Sequence, residues 1–191
     1  SSSSAASDVY KRQLHLVATA NAEMVMLANE NPTLHTILNN ASLVVPDGAG
    51  ILWAAERQGE HVPERVTGVD VTKRLFKVAA ERQIPVYCLG AAPGVAQRAI
   101  DNLSAQVGPL NIAGIHDGFF DSTEEQEIVK AISESKAKLV FVALGVPKQE
   151  QWISEKLSHL DGVVAIGIGG SFDVLAGNIP RAPEWLSLIH I

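Results

Sequence analysis

Residues 139–152, "LVFVALGVPKQEQW", contain the clearest indication of the fold. Its first half is an unbroken apolar run, which is the pattern of a strand covered on both faces of a parallel sheet. The run stops at a glycine, and Pro147 suits the first turn of a helix. We therefore predict that a strand passes directly into a helix. Lys148, Gln149 and Glu150 then lie in the first helical turn and project over the carboxyl end of the strand, where free amides and the helix dipole favour ligand binding.

Similar apolar runs recur along the chain and alternate with amphipathic segments. One of these segments is split near Pro32, and another is expected to be capped by Ser122 or Thr123. This alternation predicts an α/β fold: a single Rossmann-like domain over residues 14–186, with a mostly parallel sheet of about six strands flanked by helices. The expected strands are "LHLVATAN" (14–21), "SLVVPDG" (42–48), "IPVYCLG" (84–90), "NIAGIHDG" (111–118), "KLVFVALG" (138–145) and "GVVAIGIGG" (162–170).

The composition argues against several classes of function. A formal net charge of −6 over 191 residues argues against a nucleic-acid partner. The six histidines show no close pair at metal-ligand spacing, so neither a metal nor another cofactor is expected. The single cysteine, Cys88, lies in an apolar run and is interpreted as a buried hydrophobic residue. One cysteine and no recognisable signal peptide favour a cytoplasmic setting.

The two ends of the sequence differ from the rest. "SSSSAASDVYKRQ" at the start and "LSLIHI" at the end have no periodicity that fits the fold and read like translated sequencing-adapter sequence. We expect residues 1–13 and 187–191 to be non-native flanking sequence.

Polar side chains follow the first two predicted strands. Asp47 in "VPDGAG" (45–50) stands where a strand stops; it fits a plain turn, or a carboxylate that serves as a general base at the binding edge. Thr19 and Asn21 follow the first strand and are able to hydrogen-bond a sugar or a base. Asn21 could equally cap the next helix.

Two further strand ends carry glycines. Gly90 in "LGAAPGVA" (89–96) fits either a phosphate-cradling loop or a tight structural turn. Gly169 and Gly170 follow the last strand, where a glycine pair lets the backbone approach a ligand closely. Asp173 lies just beyond them, and a capped turn is the alternative interpretation of this segment.

Two arginines lie in loops that face the same edge in this topology. Arg65 in "ERVTGVD" (64–70) precedes a predicted helix, and Arg181 stands between two prolines in a stiff loop. Arg181 suits a phosphate or another subunit. A solvated side chain is the alternative for Arg65, and a well-capped turn with an extended tail is the alternative for the segment of Arg181.

The motifs taken together resemble the WecG/TagA/CpsF family of bacterial glycosyltransferases. The resemblance covers about residues 15 to 186, with the motifs in order, and is closest to the TagA-like N-acetylmannosaminyltransferases. The motifs that carry it are "TANAE", "PDGAG", "ERVTGVD", "LGAAPGVA", "HDGFF", "LGVPKQEQW" and "GGSFDVLAGNIPRAPEWL".

The resemblance implies an inverting glycosyltransferase that works without a metal. Members of the family transfer N-acetylmannosamine, or its uronic acid, from a UDP-sugar to N-acetylglucosamine linked to undecaprenyl diphosphate. The product begins wall teichoic acid or enterobacterial common antigen.

Roles for individual residues are implied by the same resemblance. Asp47 becomes the base that deprotonates the acceptor hydroxyl, and Thr19 and Asn21 line its pocket. Arg65 and Gln149 contact the donor or its diphosphate. The glycine loop at residue 90 and the turn at residues 169–173 hold uridine and phosphates.

The resemblance also implies where the protein works. Family members continue beyond the "RAPEWL" motif with a basic segment that docks on the membrane, so we expect a C-terminally truncated domain that is peripheral to the inner face of the cell membrane. The oligomeric state is open, and a homo-oligomer is compatible with the sequence.

Two other functions compete with this interpretation. A nucleotide-dependent oxidoreductase requires a G-x-G-x-x-G loop and an acidic residue about 20 positions later, and neither occurs. A non-catalytic nucleotide-sugar-binding module keeps Gln149 and the glycine turns but has no need of Asp47.

Overall fold

The protein forms one open sheet of six parallel strands in a computed structural model that describes residues 13–48, 57, 59 and 67–180. All six predicted strands are present, so the predicted fold class is confirmed. Their order across the sheet is β2-β1-β6-β5-β3-β4. The strands are β1 His15–Ala20, β2 Leu43–Pro46, β3 Val86–Gly90, β4 Ile112–His116, β5 Leu139–Ala143 and β6 Val164–Gly167.

Seven helices with defined bounds cover the two faces of the sheet within the described residues. Those on the first face share a core built around Met24, Leu34, Ile128 and Ile153, and those on the second share a core around Phe76, Ile100 and Phe172. The first face carries α1 Ala22–Glu30, α2 Pro32–Asn40, α5 Ser122–Glu134 and α6 Lys148–Lys156; the second carries α3 Gly68–Arg82, α4 Val95–Val107 and α7 Ser171–Leu175.

Strand neighbours that lead to opposite faces create a crevice at the carboxyl edge. β1 leads to α1 on the first face, whereas its neighbour β6 leads to α7 on the second face. In open α/β sheets ligands bind in crevices of this kind. The end of β2 lies on the other side of β1, because Thr19 pairs with Val45 in the parallel register. The polar residues that follow β1, β2 and β6 are thereby brought to one place.

Local sequence signals set most helix ends. The predicted split near Pro32 is confirmed, since α1 ends at Glu30 and α2 begins at the proline. The expected cap at Ser122 or Thr123 is wrong: Asp121 caps α5, because its carboxylate reaches two backbone amides and Glu124 completes a capping box.

The interior confirms the interpretation of Cys88 as a core residue. It is fully buried in the second cluster, and burial raises the pKa of its thiol. In the described part of the chain, the helices are all too short or too polar to cross a membrane.

Candidate active site at the carboxyl edge of the sheet

Asp47 is held at the end of β2 by two backbone contacts. Its amide donates to Ala20 O at 2.7 Å, which continues the β1–β2 ladder by one residue. Its Oδ2 atom accepts from the amide of Gly68 at 2.9 Å. Gly68 is the first residue of α3, and amides in a first helical turn have no partner within the helix. The carboxylate of Asp47 supplies that partner and remains half-buried at the edge.

Thr19 lies beside this contact and links β1 to β6. Its side chain is buried, and its hydroxyl donates to Gly167 O at 3.1 Å. A Cβ atom built on Gly68 would lie 3.0 Å from Asp47 Oδ2, 3.6 Å from Thr19 Oγ1 and 3.7 Å from Ser171 Oγ. Four elements therefore converge on one point, which a glycine leaves open.

Asn21 caps a helix, which was the alternative interpretation of this residue. Its Oδ1 atom accepts from the amide of Met24 at 2.8 Å, so it caps α1. It lies at the same strand end as Thr19, and contact of Asn21 with a ligand stays a prediction.

The first turn of α6 departs from the expected arrangement. Lys148 is exposed at the edge, as predicted, but the prediction that Gln149 and Glu150 project over it is wrong, because both are buried at 1% and 0% exposure. Gln149 Oε1 accepts from the amide of Gly169 at 3.0 Å, and its Nε2 donates to Glu150 Oε1 at 2.8 Å. Contact of Gln149 with the donor stays a prediction.

Lys148 faces the other half of the edge. Its ammonium group stands 5.5 Å from the ring centroid of Phe120, within the range of a cation–π contact. Phe120 in turn meets His116, the last residue of β4, edge to face. Lys148 is thus an exposed cation placed between the ends of β5 and β4.

Gly90 is explained by a close approach of two backbones. Its φ is +118°, and a Cβ atom there would come to 2.3 Å from Ala143 O. The amide of Ala91 donates to that same carbonyl at 3.0 Å. This geometry accounts for the glycine without a ligand, as in the tight-turn alternative, and phosphate binding by this loop stays a prediction.

The turn after β6 carries Gly169, Gly170 and Asp173. Gly169 has a φ of +51°, and Cβ atoms on Gly169 and Gly170 would meet no atom of the described part of the chain within 4 Å. Asp173 lies in the first turn of α7, and its carbonyl accepts from the amide of Asn178 at 3.0 Å. The glycine pair leaves open space above the β1–β6 crevice, and its role toward a ligand stays a prediction. Arg65 and Arg181 lie outside the described residues.

Two further residues, Gly68 and Ser171, belong to this arrangement and were not among the predicted site residues. Glu150 was expected at the edge, but its burial was not predicted. Helical periodicity contains a signal for Glu150, because positions 150, 153 and 157 share a face and the latter two are Ile153 and Leu157, both buried. Gly68 and Ser171 enter the site through the sheet order, which no local pattern reveals. Within the described ranges, no three His, Cys, Asp or Glu residues are placed to hold a metal ion.

Comparison with known proteins finds similarity to one family of glycosyltransferases. The family model of the glycosyl transferase WecG/TagA/CpsF family matches residues 3–191. The chain is similar to proteins named N-acetylglucosaminyldiphosphoundecaprenol N-acetyl-beta-D-mannosaminyltransferase. That of Bacillus spizizenii is 33% identical over 92% of this chain and 67% of the relative. The protein of Bacillus subtilis is 30% identical over 92% of this chain and 68% of the relative. The protein of Staphylococcus aureus is 33% identical over 92% of this chain and 68% of the relative.

Proposed function

Because this chain belongs to the WecG/TagA/CpsF family of glycosyltransferases, we propose that it moves N-acetylmannosamine from a UDP-sugar to N-acetylglucosamine linked to undecaprenyl diphosphate. The names of the relatives support the sugar and the acceptor. The UDP moiety of the donor, the inverting course of the reaction and its independence of metal rest on the family resemblance. The uronic acid of N-acetylmannosamine is the alternative donor sugar.

The observation that carries the proposal is the placement of Asp47. Its carboxylate is fixed by the Gly68 amide, lies next to the buried Thr19 hydroxyl and borders the crevice between β1 and β6. A carboxylate oriented by a backbone amide has little freedom to turn away, which is the requirement for a general base. In the proposed reaction the acceptor hydroxyl loses its proton to Asp47 while its oxygen bonds to the anomeric carbon. The bond from that carbon to the UDP oxygen breaks on the opposite face, so the configuration of the anomeric carbon is inverted.

The departing diphosphate needs positive charge or amide donors on the far side of the sugar. We place it over the turn of Gly169 and Gly170, where no Cβ atom blocks a close approach. Lys148 is an exposed cation at the same sheet edge and supplies charge from the β5 side. The resemblance assigns Arg65 to the donor or its diphosphate, and the stiff loop of Arg181 suits a phosphate or another subunit.

The acceptor determines where the enzyme works. Undecaprenyl chains reside in the membrane, so the protein acts on its acceptor at the inner membrane face as a peripheral protein, and the product enters wall teichoic acid or a similar surface polymer. This placement follows from the proposed acceptor.

The test compares Asp47→Ala with a matched change at Asp161, an exposed aspartate before the amino end of β6. With UDP-N-acetylmannosamine and a lipid-linked N-acetylglucosamine, kcat of Asp47→Ala should fall on the order of 10²–10⁴-fold. Affinity for UDP should change little, and Asp161→Ala should match the wild type. Unchanged turnover by Asp47→Ala would show that Asp47 is not the general base. Because the proposed reaction needs no metal, the wild type should keep full turnover in excess chelator.

Ligand-dependent melting separates the proposal from its competitors. UDP at about 100 times its Kd should add ~2.7 kcal/mol to stability and raise the melting temperature, whereas NAD should not. Stabilisation by NAD alone would favour an oxidoreductase. Stabilisation by UDP without any turnover would favour a non-catalytic binding module.

A further inference from the structure

Gln149 and Glu150 form a buried polar pair at the start of α6. Gln149 Nε2 donates to Glu150 Oε1 at 2.8 Å, and Gln149 Oε1 accepts from the Gly169 amide at 3.0 Å. The two side chains together span from helix α6 to the turn that follows β6. Neither is reachable from solvent, at 1% and 0% exposure.

The pair fixes which way the Gln149 amide faces. With the observed orientation, a donor meets the Glu150 oxygen and an acceptor meets the Gly169 N–H. A flipped amide would set NH₂ against the Gly169 N–H, and two donors repel each other. Without the acceptor on Glu150, the observed orientation loses one of its two hydrogen bonds, and Gln149 holds Gly169 less firmly.

The pair lies directly against the backbone of β6. A Cβ atom on Gly167 would come to 2.6 Å from Gln149 Nε2 and 2.7 Å from Glu150 Oε1. The carbonyl of the same Gly167 accepts from Thr19, the neighbour of Asp47. Contacts therefore run from Glu150 through Gln149 and β6 to Thr19, whose hydroxyl lies near the point on Gly68 that the Asp47 carboxylate also approaches.

Glu150 is unusual because one of its oxygens, Oε2, is buried and meets no hydrogen-bond donor among the described residues. An ionised carboxylate in that position would leave charge uncompensated in the interior, which is costly. Burial raises the pKa of Glu150, so the neutral acid is favoured.

The charged groups around α6 do not alter this conclusion among the described residues. The elements packed most closely against it are α2, β1, β5 and β6, whose titratable side chains are His15 and His35. His15 is at the amino end of β1, away from Gly167, and His35 is exposed. From α5, Glu125 contacts α6 through Lys156 at 2.7 Å, near the other end of the helix.

We propose that Glu150 is a positioning residue: it sets the amide orientation of Gln149 and thereby holds the Gly169–Gly170 turn in the shape that receives the donor diphosphate. It does so as a neutral carboxyl group, which serves as an acceptor toward Gln149. The part that concerns the donor rests on the proposed function. The part that concerns the turn does not.

The proposal predicts different effects for two conservative substitutions of Glu150. Glu150→Gln keeps the side-chain length and a carbonyl acceptor without charge, so it should preserve the contact to Gln149. Glu150→Asp keeps the carboxyl group but withdraws the acceptor by about one bond length, roughly 1.5 Å, and should lose the contact to Gln149. The neutral change is therefore expected to be the mild one. Glu155→Gln, an exposed change on the same helix, is the matched control.

The experiment follows the Gly169 amide resonance in ¹⁵N-glycine-labelled protein, UDP affinity by calorimetry and the melting temperature. We expect Glu150→Gln and Glu155→Gln to keep the Gly169 shift and to bind UDP within about 3-fold of the wild type. Glu150→Asp should stay folded, move the Gly169 resonance and weaken UDP binding on the order of 10-fold.

The outcomes separate this inference from the proposed function. An unmoved Gly169 resonance in Glu150→Asp, or a moved one in Glu150→Gln, overturns the role of Glu150 even if UDP binds normally. Absence of UDP binding by the wild type counts against the proposed function, while the Gly169 comparison still decides the role of Glu150 in the turn. If Glu150→Asp does not fold, the Glu150→Gln arm decides alone: an unmoved resonance supports the role and a moved one overturns it.

Discussion

Asp47 and Gly68 stand 21 residues apart in the chain and meet through a 2.9 Å hydrogen bond from the Gly68 amide to Asp47 Oδ2. The bond joins the end of a strand to the first turn of a long helix. It satisfies an amide that the helix itself cannot satisfy, and it holds a carboxylate at the edge of the crevice. One contact thus serves both the fold and the proposed chemistry.

Gly68→Ala should separate activity from stability. The added methyl group would lie 3.0 Å from Asp47 Oδ2, so the carboxylate must shift by a few tenths of an ångström. Replacing glycine by alanine at a compatible backbone position restricts the unfolded chain and stabilises by roughly 0.4–1 kcal/mol, which offsets part of the strain in the fold. We expect unfolding free energy within about 1 kcal/mol of the wild type but kcat lower on the order of 10-fold.

Its control is Lys77→Ala, an exposed change on the same helix. Urea unfolding and steady-state kinetics should leave that variant like the wild type. If Gly68→Ala lost activity only in proportion to lost folded protein, the Asp47–Gly68 contact would be structural alone.

Gly90→Ala should be far more harmful than Gly108→Ala. Both glycines have positive φ, at +118° and +95°, so both substitutions strain the backbone by about 1–3 kcal/mol. At Gly90 the methyl group would also collide with backbone, at 2.3 Å from Ala143 O, whereas at Gly108 it would meet none of the residues that the structure describes within 4 Å. Urea denaturation should show Gly90→Ala to be less stable than Gly108→Ala by at least ~2 kcal/mol. Equal losses would mean that β3 and β5 can move apart at this point without cost.

The burial of Glu150 should make the unfolding free energy depend on pH. Its pKa is raised in the folded protein above the ordinary value of 4.5, chiefly by burial. At pH values below 4.5 the Glu150 carboxyl group is protonated in both the folded and the unfolded protein, so its contribution to stability is fully present. That contribution is lost as the pH rises toward the pKa of the folded protein. The unfolding free energy of the wild type relative to Glu150→Gln should therefore fall as pH increases above about 4.5, at up to ~1.4 kcal/mol per pH unit. Denaturant unfolding of both proteins at several pH values measures the difference. A difference that rises with pH would show that Glu150 is stabilised as the anion.

Much of the fold followed from local patterns. Apolar runs bounded by glycine and proline located all six strands, and Pro32 and Pro147 marked helix starts within one residue. These features depend on backbone propensity and on periods of two or 3.6 residues, which neighbouring residues determine among themselves. The capping of α5 was mispredicted by one residue, because Asp, Ser and Thr are all good caps and the choice depends on side-chain geometry.

The candidate site was predictable only in part. Residues at strand ends share one edge in any parallel sheet, which is why Asp47 and Thr19 could be grouped beforehand. The depth of Gln149 and Glu150 was not predicted, since polar residues in a first helical turn are usually solvated. Their burial depends on β6 lying beneath α6, with Gly167 leaving room for both side chains.

The strands, most of the helices and the family could be inferred from the residues, because these depend on short-range patterns and motifs that are complete within a few residues. The position of β6 between β1 and β5 is known only from the folded protein. That order brings Gly167 to Thr19, Gly68 to Asp47 and Gly169 to Gln149, contacts that span 148, 21 and 20 residues of chain. Such pairings depend on how the helices pack across the two faces of the sheet, and no local stretch of the chain contains that information.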